Sequence, residues 1–257
     1  MPNPNRKYRS RPVLTDMEIS IMLTKADGIP DEYFRLRVKA LIALVKKFGK
    51  RRSEIASLQR EDLKVEPDGF LYVTFTIRKK HKRGLFQYLK YLQKQIRDEK
   101  LSREFVNSKQ LAELNEEWRE WQKTEEGCQV KEEKRTKKLA LEDKYCRLII
   151  EYADFLKAKY PDAKFLFPSG RTVFGQSYMV YGDRHLSGRQ LLRLIKLLNP
   201  KAWLHLFRET KGAEIARTEG NKLTTVYEIR DTLDLEKEET AYRYVRRYAV
   251  QEIPSET

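Results

Sequence analysis

Cysteine is scarce in this chain of 257 residues, which contains only Cys128 and Cys146. Two cysteines cannot build a disulfide framework, and their spacing does not match that of zinc ligands. The scarcity therefore excludes a small disulfide-stapled secreted domain. We expect a cytoplasmic protein that folds in a reducing compartment.

Long apolar runs are also missing. No stretch approaches the ~20 consecutive apolar residues that a membrane-spanning helix needs. The N-terminal residues do not have the pattern of a secretory signal peptide. We therefore expect no membrane among the partners of the chain.

Acidic residues are outnumbered by basic ones, 38 to 53, which gives a formal net charge of +15. The apolar fraction of 40% is sufficient for a core of ordinary size. A charge so far from zero favours an extended polyanion as partner. An anionic membrane surface is the alternative partner for such a charge.

Local signals predict helices through the first fifty residues, after a flexible segment at 1–12. Thr15 has the position of a helix cap, with Glu18 three residues later. Asp31 begins a second helix with apolar residues at helical spacing, and Gly49 ends it. Ser53 is expected to cap a short helix after that.

A strand is predicted over 70–77, where β-branched and aromatic residues follow the turn signal at 67–69. The basic run 78–83 would then lie at or near the tip of a β-hairpin. Further along the chain, amphipathic patterns predict helices over 186–198, 205–218, 224–235 and 239–250.

The segment between these regions is strongly charged. Leu111, Leu114, Trp118 and Trp121 fall on a heptad-like stripe typical of a coiled coil. We predict two long helices, over 87–124 and 134–159, that form a helical hairpin inserted at about 90–140. A single solvated charged helix with frayed ends is the alternative.

Four short patches hold the residue types that can break a phosphodiester: 49–55, 76–83, 205–210 and 240–244. Attack on phosphorus builds negative charge on the non-bridging oxygens, and two guanidiniums can bind these oxygens in a fixed geometry. An imidazole or a lysine can move protons, and a tyrosine can form a covalent intermediate. No metal or other cofactor is required for this chemistry.

The patches, in this order, resemble the catalytic domain of the tyrosine recombinases, the phage-integrase family. The resemblance covers roughly 15–88 and 140–250. It implies a mainly α fold with a small antiparallel β-hairpin or sheet, here carrying the inserted helical hairpin. The catalytic domain would occupy 13–257, and a 3′-phosphotyrosine intermediate on double-stranded DNA would be expected.

The resemblance also implies roles for particular residues. Arg51, three residues before Glu54, matches the first catalytic arginine, and His205 and Arg208 match the His-x-x-Arg motif. Tyr244 matches the nucleophile. The lysine of the family's hairpin is best matched by Lys80, and the neighbouring DNA-binding candidates are Lys79, His81, Lys82 and Arg83.

Three departures from the family pattern stand out. The family has a second His, or a Trp, nine residues before the tyrosine, and counting back from Tyr244 gives Leu235. Thr232 and Lys237 are the candidate substitutes. The helical core-binding domain usual at the N-terminus is not apparent, and the insertion is the third departure.

Several functions fit these observations. The leading one is a site-specific recombinase or integrase of a mobile element, encoded by a prokaryotic cell, virus or plasmid, that assembles as a dimer or tetramer on DNA. A type IB topoisomerase shares the chemistry. A non-catalytic DNA-binding protein on the same fold and a coiled-coil scaffold are the competing classes.

Overall fold

A computed structural model describes residues 12–82, 84–98, 100–107, 109–172, 178–220 and 222–249. The predicted flexible segment 1–12 lies outside the described residues except for Pro12. The chain divides into a core unit, Met1–Phe75 with Arg135–Thr257, and an inserted unit, Thr76–Lys134. The described helices are α1 Asp16–Asp27, α2 Glu32–Phe48, α3 Arg52–Ala56, α4 Leu85–Arg97, α5 Arg103–Asn107, α6 Leu111–Trp121, α7 Lys144–Lys159, α8 Gly188–Leu198, α9 Leu204–Glu219, α10 Leu223–Thr232 and α11 Glu238–Tyr248. The strands are β1 Leu63–Glu66, β2 Phe70–Lys82, β3 Cys128–Ala140, β4 Pro168–Thr172 and β5 Tyr178–His185.

Helix α2 is the centre of the core unit. It packs against α1, α7, α8 and α9, and the run 40–45 is fully buried on every side of the helix. A helix apolar on all faces must be surrounded by other elements. The predicted caps are confirmed: Thr15 and Glu18 form a capping box at α1, and the Asp31 carboxylate accepts from the Phe34 N–H at α2.

The corner after α2 positions the first of the four sequence patches. Gly49 ends the helix in the left-handed region at φ 56°, as glycine favours. The short helix α3 then begins two residues earlier than predicted. Arg51, not Ser53, is its N-cap, because the Glu54 side chain binds the Arg51 backbone N–H.

The predicted strand is longer than expected, because β2 continues through the basic residues to Lys82. β2 lies between β1 and β3 in a three-stranded sheet. Leu141 N–H donates to the Gly69 carbonyl, and Thr74 pairs with Thr136 at 2.9 Å. β2 and β3 therefore run antiparallel, and the basic run lies in a strand followed closely by α4 rather than in a hairpin tip.

The two long helices predicted over 87–124 and 134–159 are wrong in their bounds. Residues 128–140 form strand β3, and α7 belongs to the core unit, where Tyr152 stacks on Phe167 with ring centroids 5.8 Å apart. β3 is hydrogen-bonded to β2 in the sheet, so tertiary pairing overrides the helix-favouring Lys and Glu residues of this segment.

The inserted unit has its own small apolar cluster, built where α4 and α6 pack together. The Trp121 ring lies 5.2 Å from the rings of both Tyr88 and Tyr91. Leu114 and Trp118 of the predicted stripe pack at the edge of this cluster, whereas the side chain of Leu111 lies outside the described ones. The helical insertion is present, but α4 and α6 are the helices that pair.

The C-terminal part of the core unit follows the prediction closely. Helices α8, α9, α10 and α11 lie at the four predicted places. A second antiparallel hairpin, β4 with β5, precedes them and was not predicted. Its first strand, Pro168–Thr172, holds Pro, Ser and Gly, which favour turns.

The fold is therefore mainly α with two small antiparallel sheets, as expected. Within the described residues, no helix combines the length and apolar character that crossing a bilayer demands.

Candidate active site

Arg51 lies at the N-terminus of α3, with 45% of its side chain exposed. Its Nη1 donates to Glu54 Oε1 at 2.7 Å, and its backbone N–H donates to Glu54 Oε2 at 2.8 Å. The Glu54 side chain is 3% exposed. Its buried carboxylate therefore binds both the backbone N–H and the guanidinium of the half-exposed Arg51. The guanidinium can therefore meet a polyanion while its backbone stays fixed.

Arg208 lies on α9 and is almost wholly buried, at 2% exposure. Its Nη1 donates to the Gly49 carbonyl at 2.9 Å, and its Nη2 donates to the Leu233 carbonyl. Burial lowers the pKa of Arg208, and the repulsion of Arg51 lowers it further, while Tyr244, Glu54 and Asp234 act in the opposite direction. Arg208 is thus within electrostatic reach of both Arg51 and Tyr244.

His205 lies one turn before Arg208 on α9, with 55% of its side chain exposed. Its Nε2 is 3.4 Å from Glu209 Oε1. The buried Glu209 carboxylate also accepts from the Tyr248 hydroxyl at 3.2 Å and lies 3.8 Å from Arg247 Nη1. Glu209 therefore connects the histidine of α9 to the last turns of α11.

Tyr244 lies on α11 with its ring directly against α9. A Cβ added at Gly212 would lie 2.4 Å from Tyr244 Cδ1, so only glycine allows this close approach. Gly212 is one turn after Arg208 on the same helix. The predicted nucleophile and the second predicted arginine are thus brought together by one glycine contact.

An open pocket of about 330 Å³ lies beside the half-exposed side chains of Arg51 and His205. Its walls come from the α2–α3 corner, from α8 and from the first turn of α9. Arg51 and His205 both face it, together with the exposed Trp203. The other lining residues are Lys50, Arg52, Ser53, Leu192 and Leu204.

The predicted hairpin residues belong to the inserted unit. The backbone of Lys79, Lys80, His81 and Lys82 lies in β2, but their side chains lie outside the described ones, and Arg83 lies outside the described residues. Lys80 as the proton donor therefore stays a prediction.

The two proposed substitutes for the second His or Trp lie on either side of a buried turn. Thr232 ends α10, and its carbonyl accepts from Lys50 Nζ at 3.3 Å. Lys237 is the exposed N-cap residue of α11 and lowers the pKa of Glu239, after the larger influence of Arg243. Between them, Asp234 is buried.

Lys50 and Asp234 are the site residues that the sequence analysis missed. They form an ion pair in which both side chains are fully buried. Burial lowers the pKa of Lys50 to about 8, against the attraction of Asp234. The sequence marks them only by their position beside predicted site positions. Lys50 immediately precedes Arg51, and Asp234 immediately precedes Leu235, where the family pattern has a His or Trp.

Among the residues that the structure describes, no group of three or more His, Cys, Asp or Glu side chains is arranged to hold a metal ion. The charged groups of the site are instead the arginines, the lysine and their carboxylate partners described above.

Solved structures of recombinases share this architecture. XerH, a site-specific recombinase bound to its difH substrate in a pre-cleavage complex, matches with a TM-score of 0.53 and 13% identity over 92% of this chain. A post-cleavage complex of XerH with palindromic difH gives 0.52 and 12% over 94%, and the XerA recombinase gives 0.51 and 14% over 95%. The fold is that of the tyrosine recombinases.

The match covers only part of the length of these recombinase chains. The chain spans 50% of the length of the XerH chain in the first complex and 61% of the XerA chain. No family model and no curated protein matches the sequence. The predicted resemblance is therefore confirmed at the level of the tyrosine-recombinase fold.

Proposed function

We propose that this chain is a site-specific DNA recombinase or integrase that cleaves and rejoins DNA through a 3′-phosphotyrosine at Tyr244. The observation that carries the proposal is the packing of Tyr244 on Gly212, within electrostatic reach of Arg208. His205 lies on the same helix, and Arg51 acts on Arg208 across the corner. These are the residues that the sequence motifs select.

The proposed reaction is an in-line displacement at phosphorus. The Tyr244 oxygen, having given its proton to solvent, bonds to phosphorus as the bond to the 5′ oxygen breaks. Arg51 and Arg208 stabilise the charge that develops on the non-bridging oxygens, and His205 donates to one of them. The 5′ oxygen leaves with a proton, for which Lys80 is the predicted donor.

Charge supports DNA as the partner. The net charge of +15 suits a polyanion, and both XerH structures of the same fold contain a DNA substrate. Oligomerisation on DNA and metal-independent cleavage belong to the same proposal.

A suicide substrate tests the proposal directly. A nicked duplex releases its short 5′ strand after cleavage and traps the covalent protein–DNA adduct. We expect wild type to form the adduct in EDTA and Tyr244→Phe to form none, with DNA affinity unchanged, because only the nucleophilic oxygen is removed.

The chain offers two matched controls. Tyr242→Phe lies two residues away on the exposed side of α11, and Tyr248→Phe loses its contact with Glu209; both should still form the adduct. An adduct from Tyr244→Phe would disprove the assignment. DNA binding without any adduct from wild type would support the non-catalytic alternative, and plasmid relaxation without strand exchange would support a topoisomerase.

A further inference from the structure

The turn between α10 and α11 contains a buried carboxylate in an unusual backbone conformation. Asp234 has φ 48°, and it is the non-glycine residue with positive φ in the described chain. Glycine adopts this region at no cost, whereas an aspartate is less favourable there. A carboxylate therefore occupies this position although its backbone conformation is less favourable than a glycine's would be.

Three cations from two other segments surround this carboxylate. Lys50 Nζ binds Asp234 Oδ2, and both side chains are fully buried. On β3, Arg135 Nη1 lies 3.4 Å from Asp234 Oδ1, and Lys137 Nζ lies 3.8 Å from the same atom. Lys137 also donates to the Asp231 carbonyl at 2.6 Å.

The backbone immediately before Asp234 is linked to the first predicted catalytic patch through Arg208. Arg208 donates to the Leu233 carbonyl with Nη2 and to the Gly49 carbonyl with Nη1. The two turns also touch directly, since a Cβ added at Gly49 would lie 2.8 Å from Leu233 Cδ2. One side chain thus joins the residue before Asp234 to the residue before Lys50.

These contacts link the segment that carries Arg51 to the segment that leads into the helix of Tyr244. Lys50 immediately precedes Arg51, and α11, which carries Tyr244, begins four residues after Asp234. A shift of this turn would move α11 relative to the arginines. A displacement of about 1 Å can slow a reaction about 100-fold without any change in the reacting groups.

We propose that Asp234, through its ion pair with Lys50, is a positioning residue that sets the tyrosine helix against Arg51 and Arg208. This inference rests on the proposed function for its catalytic consequence. Asp234 touches no reacting atom; it acts through Lys50, Arg208 and α11. It lies next to Leu235, the place where the family pattern would put a His or Trp.

The experiment uses the full chain and the nicked substrate at saturating DNA. Asp234→Asn keeps the size of the side chain and its tolerance of positive φ but removes the charge. We expect the rate of adduct formation to fall about 100-fold while DNA affinity changes less than about twofold. Asp231→Asn, at an exposed position in the last turn of α10, is the control and should match wild type.

The double variant Asp234→Asn with Lys50→Met separates positioning from folding. It removes both charges together, so no buried charge is left without a partner. We expect it to recover at least about a tenth of the wild-type adduct rate, well above either single variant. A rate that falls only in proportion to the unfolded fraction, measured by circular dichroism, would overturn the proposal.

A 5′-bridging phosphorothiolate substrate tests the rival role of Lys50 as a proton donor. Its thiolate leaving group needs no proton, so a donor defect disappears on this substrate. We expect the Asp234→Asn and Lys50→Met defects to persist, because the alignment of Tyr244 is what they disturb. Recovery of the wild-type rate would contradict the positioning role.

Limited trypsin digestion tests the same idea without catalysis. Arg243, Arg246 and Arg247 of α11 are cleavage sites, protected while the helix is docked. Cleavage of α11 should quicken in Asp234→Asn and slow again in the double variant, whatever the adduct assay gives. Unchanged protection would refute the positioning role, whereas absence of adduct in wild type would refute only the proposed function.

Discussion

The candidate site has a buried half and an exposed half. The buried half consists of Arg208, Lys50, Asp234 and Tyr244, whose side chains are nearly inaccessible to solvent. Arg208 binds backbone carbonyls, and Lys50 and Asp234 form an ion pair with each other. Arg51 and His205 are about half exposed and face an open pocket. The buried half therefore joins the predicted nucleophile and the second predicted arginine to the core unit, whereas the exposed half faces solvent.

Arg208→Ala should have the largest effect, because it removes a proposed phosphate ligand and the link between two turns. We expect no detectable adduct and a loss of about 3 kcal/mol in the free energy of unfolding. Adduct yield and urea unfolding measure the two effects. Arg208→Lys keeps the charge but cannot bind both carbonyls, so it should recover part of the stability only.

Arg51→Ala should show that the exposed half affects adduct formation far more than stability. We expect adduct formation to slow roughly 100- to 1000-fold, as when one oxyanion donor is lost. The free energy of unfolding should change by less than about 1 kcal/mol, because the guanidinium is largely solvated and its ion pair is screened. A stability loss as large as that of Arg208→Ala would abolish the distinction between the halves.

Gly212→Ala tests the contact that places Tyr244. In an open helix position, alanine would stabilise by about 1 kcal/mol relative to glycine. Here the added Cβ would lie 2.4 Å from the tyrosine ring, so we expect the variant to be destabilised and its adduct rate to fall about tenfold or more. Gly28→Ala, where the nearest atom is 3.4 Å away, is the control. A more stable and fully active Gly212→Ala would show that Tyr244 can move freely.

The smallest effect is expected at two buried lysines near the end of α2, Lys46 and Lys50. Their contributions to the free energy of unfolding should depend on pH in opposite directions. Burial lowers the pKa of Lys50 to about 8, below its unfolded value, so its contribution to stability rises between pH 8 and about 10.5. For Lys46, burial is outweighed by Asp16 and Glu214, which raise the pKa. Its contribution is present below about pH 10.5 and is lost as the pH rises through the folded pKa.

Unfolding free energies of wild type, Lys46→Met and Lys50→Met at pH 7 to 10.5 measure these contributions. The difference between wild type and Lys50→Met should change in favour of wild type by at most about 1.4 kcal/mol per pH unit. Identical slopes for the two variants would show that the pair with Asp234 behaves like the partly solvated pair at Lys46.

Local signals were sufficient where a segment's structure depends on its own residues. The caps at Thr15 and Asp31, the glycine stop at Gly49 and the amphipathic helices α8 and α11 are confirmed because each depends on a cap, a glycine or apolar spacing. Helices α9 and α10 also lie at their predicted places, although α9 has no side-chain cap and no single apolar face. Residues 134–140 were wrongly predicted to be helical, because the Lys and Glu residues of this segment also favour helices. Only its pairing with β2 makes it a strand.

The sequence by itself determined the order of the predicted site residues and the helices that carry them, since motif spacing and helical periodicity are local properties. The tertiary structure alone decided which of these side chains are buried and what they bind. Lys50 and Asp234 are far apart in sequence, and neither has a distinctive pattern around it. Their pairing exists because Gly49 and Leu233 pack at close range, a fact that no local sequence pattern contains.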